Sequence, residues 1–265
     1  MRPARVYSSE GIILKQIRLG EADKIVTLYT PAQGILRAVA KGVRRPSSRL
    51  AGHLEPFTHS HILVARGAHL DIITQAQTLR SFRLLREELW RSSAASYVAE
   101  LVDRFGAEQL ENRRLFALLG ETLAWLAEAA EPGPALRFFE MALVEVTGYR
   151  PELRECADCR VVLPPEGVRF SAPAGGAICI GCARHEPGAA SLSLTALKVL
   201  RFLQRGDATQ ARRLRLEPWL QDEVEMVLRS YVCHLLERAP RSLAVLDALR
   251  REDMTPVPVS PGVLS

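Results

Sequence analysis

The chain has 265 residues, 48% of them apolar and 25% charged, and carries a formal net charge of +5. That length can bury a substantial core and predicts two domains with a small insert. No apolar run approaches the roughly 20 residues that span a bilayer, and Met1-Arg2-Pro3-Ala4-Arg5 leads into no signal-peptide hydrophobic region, so a cytoplasmic protein with reduced thiols is expected.

Apolar residues alternate with period two through the first third of the chain, and turn residues break the pattern into runs at 11–19, 24–30, 35–41, 57–65 and 70–78. Pro31-Ala32-Gln33-Gly34 and Arg66-Gly67-Ala68-His69 are the clearest turns between them. Five short antiparallel strands fit a small barrel, either an OB-fold or an SH3-like one, and periodicity does not separate the two. Residues 1–80 hold 12 Lys and Arg against 5 Asp and Glu, a balance of +7, while the remainder of the chain balances at −2. Basicity confined to a barrel points to a polyanion, because cations near phosphates release counterions and bind without regard to sequence. The connection from Ala40 to Leu50 concentrates it, setting Lys41, Arg44, Arg45 and Arg49 among glycine, proline and two serines whose backbone and hydroxyls can also reach phosphate oxygens. Base stacking there would have to come from Tyr7, Tyr29 or Phe57, positions that strands more often bury.

After about Phe82 the period becomes helical. Tyr97, Val98, Leu101, Val102 and Phe105 make one stripe, Leu115, Phe116, Leu119, Leu123 and Leu126 a second, and Leu136, Phe139, Leu143 and Val146 a third. All read as core. Pro134 suits a first helical turn after Glu131-Pro132-Gly133. Two CxxC pairs follow, Cys156-Ala157-Asp158-Cys159 and Cys179-Ile180-Gly181-Cys182, with 19 residues between them. Two such pairs complete the thiolate tetrahedron that Zn²⁺ accepts, and a site made of four sulfurs leaves no open position for water or substrate, so one structural zinc ion is expected. Redox CxxC motifs occur singly beside a βαβ pattern, and disulfides need an oxidising compartment. The segment between the pairs reads as turns around short strands, with too few apolar residues to fold without the metal. His185 reads as a solvated loop residue and Cys233 as a buried, inert thiol. Further helices are predicted over 194–203 and 220–235, which makes the metal module an insertion in one helical domain. The expected units are a barrel over 1–80, a helical domain over 81–252 with the module at 150–186 inside it, and a Pro-rich disordered tail over 253–265.

No P-loop, GxSxG, HExxH or deaminase pattern is present, which argues against an enzyme without reaching active sites assembled from distant residues. His53, His59 and His61 lack an obvious carboxylate partner, and Glu87-Glu88, Glu140, Glu145 and Asp222-Glu223 read as the wet faces of helices. A nucleic-acid-processing enzyme and a zinc-ribbon factor that binds RNA or protein are the competing classes.

In order along nearly the whole chain, several stretches resemble one family, the recombination mediator RecO of bacterial recombinational DNA repair. They are Ser9-Glu10-Gly11-Ile12-Ile13-Leu14, Gly20-Glu21-Ala22-Asp23-Lys24-Ile25, Ala40-Lys41-Gly42-Val43-Arg44-Arg45, Leu54-Glu55-Pro56-Phe57, Phe138-Phe139-Glu140, Thr147-Gly148-Tyr149-Arg150-Pro151 and the two cysteine pairs. The resemblance implies an N-terminal OB-fold barrel, an all-helical domain and an inserted four-cysteine zinc module. It also implies a non-enzymatic role: binding single- and double-stranded DNA, annealing strands, and loading recombinase onto DNA coated by single-strand-binding protein. The implied partners are RecR and the acidic tail of that protein, and the implied location is the nucleoid. Lys41, Arg44, Arg45 and Arg49 match the family's basic loop. Lys15, Lys24 and Arg37 are further DNA-contact candidates from charge and strand position.

Overall fold

The computed structural model describes residues 5–253. Its first five strands, β1 (Val6–Leu19), β2 (Asp23–Thr30), β3 (Gly34–Ala40), β4 (His59–Ala65) and β5 (Asp71–Arg80), close into a barrel in the order β1-β2-β3-β5-β4, with β4 returning to β1. Every pairing is antiparallel except the contact of β3 with β5, where Ala38 faces Asp71 and Val39 faces Ile72. This is the five-stranded barrel of the OB-fold. Ile13, Val26, Leu28, Ala38, Ala40, Ile62, Val64 and Ile73 fill its interior.

The first strand starts earlier than the period suggested. Val6 to Ile12 pair with β4 and Ile12 to Leu19 with β2, so one bent strand serves two neighbours, with a register shift between Ile13 and Lys15. Gly11 stands at the bend, where a Cβ would come within 2.5 Å of Leu28 Cδ1. Val6-Tyr7-Ser8-Ser9-Glu10 carries too little apolar alternation to announce itself as strand. At the other end, Phe57 is a turn residue with φ of +67°, and β4 begins only at His59.

Helices form the rest of the molecule: α1 (Leu84–Glu87), α2 (Leu89–Phe105), α3 (Arg113–Glu128), α4 (Gly133–Val146), α5 (Ile180–Ala183), α6 (Leu194–Leu203), α7 (Ala208–Ala211), α8 (Pro218–Leu235) and α9 (Arg241–Asp253). The apolar stripes of α2, α3 and α4 meet in one core, and Pro134 lies in the first turn of α4. From the barrel, Ile12, Leu14, Tyr29, Ile35 and Phe57 point into that same core. The junction is also polar: Ile35 N–H donates to the Ala107 carbonyl at 3.0 Å, and Lys15 and Arg37 both reach Asp103, Arg37 pairing with Glu108 as well. Gly34 has φ of +63°, and a Cβ there would lie 2.2 Å from the Ala107 oxygen.

Glu140 corrects the expectation of a wet helix face. It is fully buried and accepts hydrogen bonds from Tyr97 Oη at 2.7 Å and Arg137 Nη2 at 2.8 Å, since the face of α4 that carries it packs against α2 and α8. Burial holds its carboxyl above the usual carboxylate range, against the opposing pull of Arg137. Glu223 likewise has a structural partner, accepting from Ser193 N and Oγ at the start of α6. The helix α9 reaches Asp253, so the proposed tail loses its first residue, and 254–265 lie outside the described residues.

Candidate nucleic-acid interface and metal centre

The connection between β3 and β4 folds back over one end of the barrel. Val43 and Leu54 are buried in the barrel core, with Leu50 and Ala51 packed beside them, so the polar residues between are forced outward. Its first turn is tied to the β1–β2 turn: Gly42 N–H donates to Asp23 Oδ1 at 2.7 Å, Arg44 N–H to the Ala22 carbonyl at 2.9 Å, and Arg44 Nη1 to the Glu21 carbonyl at 2.7 Å. Two further backbone bonds, Arg45 to Gly42 and Ser48 to Arg45, shape the rest. The two connections therefore form one unit.

Lys41, Arg44, Arg45 and Arg49 are all exposed on it. The barrel's ion pairs are those of Lys15, Arg37 and His59, and none involves the four loop cations among the described residues. The other three candidates stand elsewhere. Lys24 donates to Gln16 Oε1 at 2.5 Å, while Lys15 and Arg37 are held by Asp103 at the domain junction. Tyr29 and Phe57 are buried, and Tyr7 is occupied: its hydroxyl donates to Asp71 at 2.6 Å beneath the Arg66 guanidinium. The surface thus offers charge without stacking platforms. Two of the three histidines have partners, His53 in Thr78 and His59 in Glu10 at 3.0 Å, a carboxylate that sequence distance had hidden, while His61 is exposed.

The metal module occupies the stretch between α4 and α6, with a sheet of β6 (Arg169–Ser171), β7 (Gly176–Ile178) and β8 (Ala190–Ser191) in the order β7-β6-β8. Leu153, Leu163, Val168, Phe170 and Ile178 join the helical core, with the Phe170 ring edge-on to Tyr231 at 5.6 Å. Its few apolar residues are pooled with those of the larger domain.

The sulfurs of Cys156, Cys159, Cys179 and Cys182 lie within 4.8 Å of one another, and the Cys159–Cys179 pair is 3.8 Å apart. A tetrahedron with metal–sulfur bonds of about 2.3 Å has edges of about 3.8 Å. These four cysteines could hold a metal ion. Cys156 is buried, which raises its pKa, but N–H groups of Cys179, Cys159 and Asp158 more than offset this and bring it down to about 6. The Asp158 carboxylate pushes Cys182 upward, an effect that a bound cation reverses. His185 is exposed and outside the cluster, and Cys233 is half-buried, its thiol pushed up by burial. No helix among the described residues is long and apolar enough to cross a membrane.

Sequence missed one cavity altogether. It measures about 360 Å³ and lies among α3, the start of α4, α7 and α8. Trp125 forms one wall with the Arg212 guanidinium 5.0 Å from its ring centre, and Arg215 lies alongside. The Arg137 side chain is only 5% exposed; its Nε has no hydrogen-bond partner, its Nη1 lies 3.5 Å from Glu225 Oε2, and Glu131 and Glu225 also line the cavity. No local motif marks this site, because its residues come from four separated helices.

Two family models match the chain, Recombination protein O N terminal over residues 1–82 and Recombination protein O C terminal over residues 86–244. A protein named DNA repair protein RecO from Roseiflexus sp. (strain RS-1) is 46% identical over 258 residues, covering 97% of this chain and 91% of its own. A protein of the same name from Dehalococcoides mccartyi (strain ATCC BAA-2266 / KCTC 15142 / 195) is 38% identical over 248 residues, 94% of this chain and 98% of its own. Another, from Symbiobacterium thermophilum, is 37% identical over 248 residues, 92% of this chain and 98% of its own.

Proposed function

Because this chain belongs to the recombination protein O family of DNA repair proteins, we propose that it is a non-enzymatic recombination mediator that binds single- and double-stranded DNA through the loop closing its barrel. The observation that carries this reading is the set of four exposed cations without an ion pair among the described residues, Lys41, Arg44, Arg45 and Arg49, on a loop whose backbone is anchored at both turns. Phosphate contacts need no sequence readout, and the absence of exposed aromatics among the described barrel residues fits grip on the backbone rather than on bases. Neutralising two strands and holding them close is sufficient for annealing. Together with RecR, the same grip serves to load recombinase onto DNA covered by single-strand-binding protein. The working units are the barrel of 1–80, the helical domain of 81–252 and the metal module of 150–186, in a cytoplasmic, nucleoid-associated protein.

In the cysteine cluster the ion is zinc, which when bound would supply folding energy and no reaction chemistry. Cys156, Cys159, Cys179 and Cys182 would hold it. The acidic tail of single-strand-binding protein would take the Trp125 cavity: an apolar wall for a hydrophobic side chain, and Arg215 with Arg212 and Arg137 for carboxylates, the last two shared with Glu128 and Glu225 of the chain itself. Fluorescence anisotropy of a labelled oligonucleotide across a salt series tests the DNA reading. Salt-sensitive binding supports it, and no binding at low salt removes it.

A further inference from the structure

A second cationic surface lies outside the barrel, in the helical domain. Arg150, Arg154, Arg201 and Arg205 line a cleft of about 370 Å³ between the first cysteine pair's segment and the end of α6, and no carboxylate lines it with them. Its floor is fixed. Arg201 Nε donates to the Leu153 carbonyl at 2.8 Å, and Gln204, which is buried, donates to the Pro151 carbonyl at 2.7 Å. Arg150 reaches Glu145 at 3.6 Å, whereas Arg154 and Arg205 are exposed and their side chains have no ion pair or hydrogen bond among the described residues.

Four guanidinium groups around one cleft repel each other, and an anion relieves that repulsion. Planar guanidinium forks match phosphate oxygens two at a time, and a rigid floor spares most of the ordering cost of binding. The helical domain and metal module have no excess of basic residues in total, 23 Lys and Arg against 25 Asp and Glu beyond residue 80, so gathering four arginines with Glu145 alone paired to one of them, Arg150, is a local feature. We propose that this cleft is a second phosphate-backbone site, holding a nucleic-acid strand while the barrel loop holds another. The inference rests on the reading of the barrel loop as a DNA site, since joining two strands on one chain requires two places to hold them.

Calorimetric titration of the full chain with a single-stranded oligonucleotide of ~8 nucleotides, short enough to occupy one site at a time, tests it. The parent binds two per chain. Arg154→Gln with Arg205→Gln leaves one, Lys41→Gln with Arg45→Gln and Arg49→Gln also leaves one, and Arg154→Lys with Arg205→Lys keeps two. On a longer strand the cleft double variant flattens the salt slope by about 1.4, at ~0.7 per lost single-strand phosphate contact. Because neither side chain has an internal partner, the parent's thermal melt is expected in all cleft variants. If the cleft variant binds oligonucleotide with the parent's stoichiometry and slope while the loop variant loses it, the cleft inference falls and the barrel reading stands. If the parent binds no oligonucleotide, both fall. If the cleft variant loses only an acidic peptide, the site is a peptide site and the inference is overturned.

Discussion

Removing Lys41, Arg45 and Arg49 together as glutamines isolates the electrostatic part of the barrel loop, because no bond from these three side chains to the fold is found among the described residues, whereas Arg44 is tied to the Glu21 carbonyl. Each phosphate contact on a single strand contributes about 0.7 to the slope of log affinity against log salt, so losing three flattens it by about 2.1. Between roughly 50 and 200 mM salt the parent then loses about 18-fold more affinity than the variant. Arg44→Gln behaves differently: it releases the β3–β4 connection from the β1–β2 turn, lowers barrel stability by about 1 kcal/mol, and takes no more than one contact from the slope. The assay is anisotropy at four or more salt concentrations, with a thermal melt of each variant. A triple variant that melts like the parent and keeps its slope refutes the assignment of phosphate contact to this loop.

Three other outcomes follow from the geometry. Cys159→Ser lowers bound zinc, read by metal analysis of the purified chain, and loosens the helical domain while the barrel stays folded; equal metal content in variant and parent contradicts the four-sulfur site. Trp125→Ala and Arg137→Gln each weaken binding of an acidic, hydrophobic-ended peptide by tenfold or so without altering the oligonucleotide salt slope, and intact peptide binding in both would vacate that cavity. Glu100 accepts Arg241 N–H at 3.0 Å and Ser242 N–H at 2.9 Å, acting as a cap for α9 from a neighbouring helix, so Glu100→Gln costs about 1–2 kcal/mol. Burial raises the Glu100 pKa, but these donors outweigh it and hold the carboxyl below its ordinary 4.5; the stabilisation is therefore present above that value and vanishes as pH falls through the lower folded-state value. Melting temperatures of parent and variant should converge in acid, and a constant gap would break the argument.

The barrel was legible because its strands are half-buried, so Val26, Leu28 and Ile62, Val64 alternate in plain view. The same reasoning lost Val6–Glu10, where pairing with β4 is made by the backbone and the side chains are mostly polar. Spacing sufficed for the cysteine cluster, since each CxxC carries its own geometry locally. Lys15 and Arg37 show the limit: charge and strand position nominate them for DNA, yet cannot reveal that both also pair with Asp103, 88 residues from Lys15 in the chain. Glu140 fails for a related reason. A helix wheel with an apolar stripe assigns the opposite face to water, and only tertiary packing reveals that the Glu140 side of α4 is covered. The Trp125 cavity and the arginine cleft are likewise products of packing between distant helices.

Closure of the barrel also has a mechanical side. A sheet without a free edge cannot recruit a partner by strand addition, nor join another copy edge to edge, which protects the barrel from edge-to-edge aggregation. The narrowest seam is between β3 and β5, two residue pairs wide, while β3 is held to β2 by seven pairs from Lys24–Ala40 to Thr30–Gly34. If Lys41 grips a DNA strand as proposed, tension on that strand enters the sheet at the very end of β3, where it loads those seven pairs in shear, the direction in which a ladder of hydrogen bonds shares force rather than parting one bond at a time.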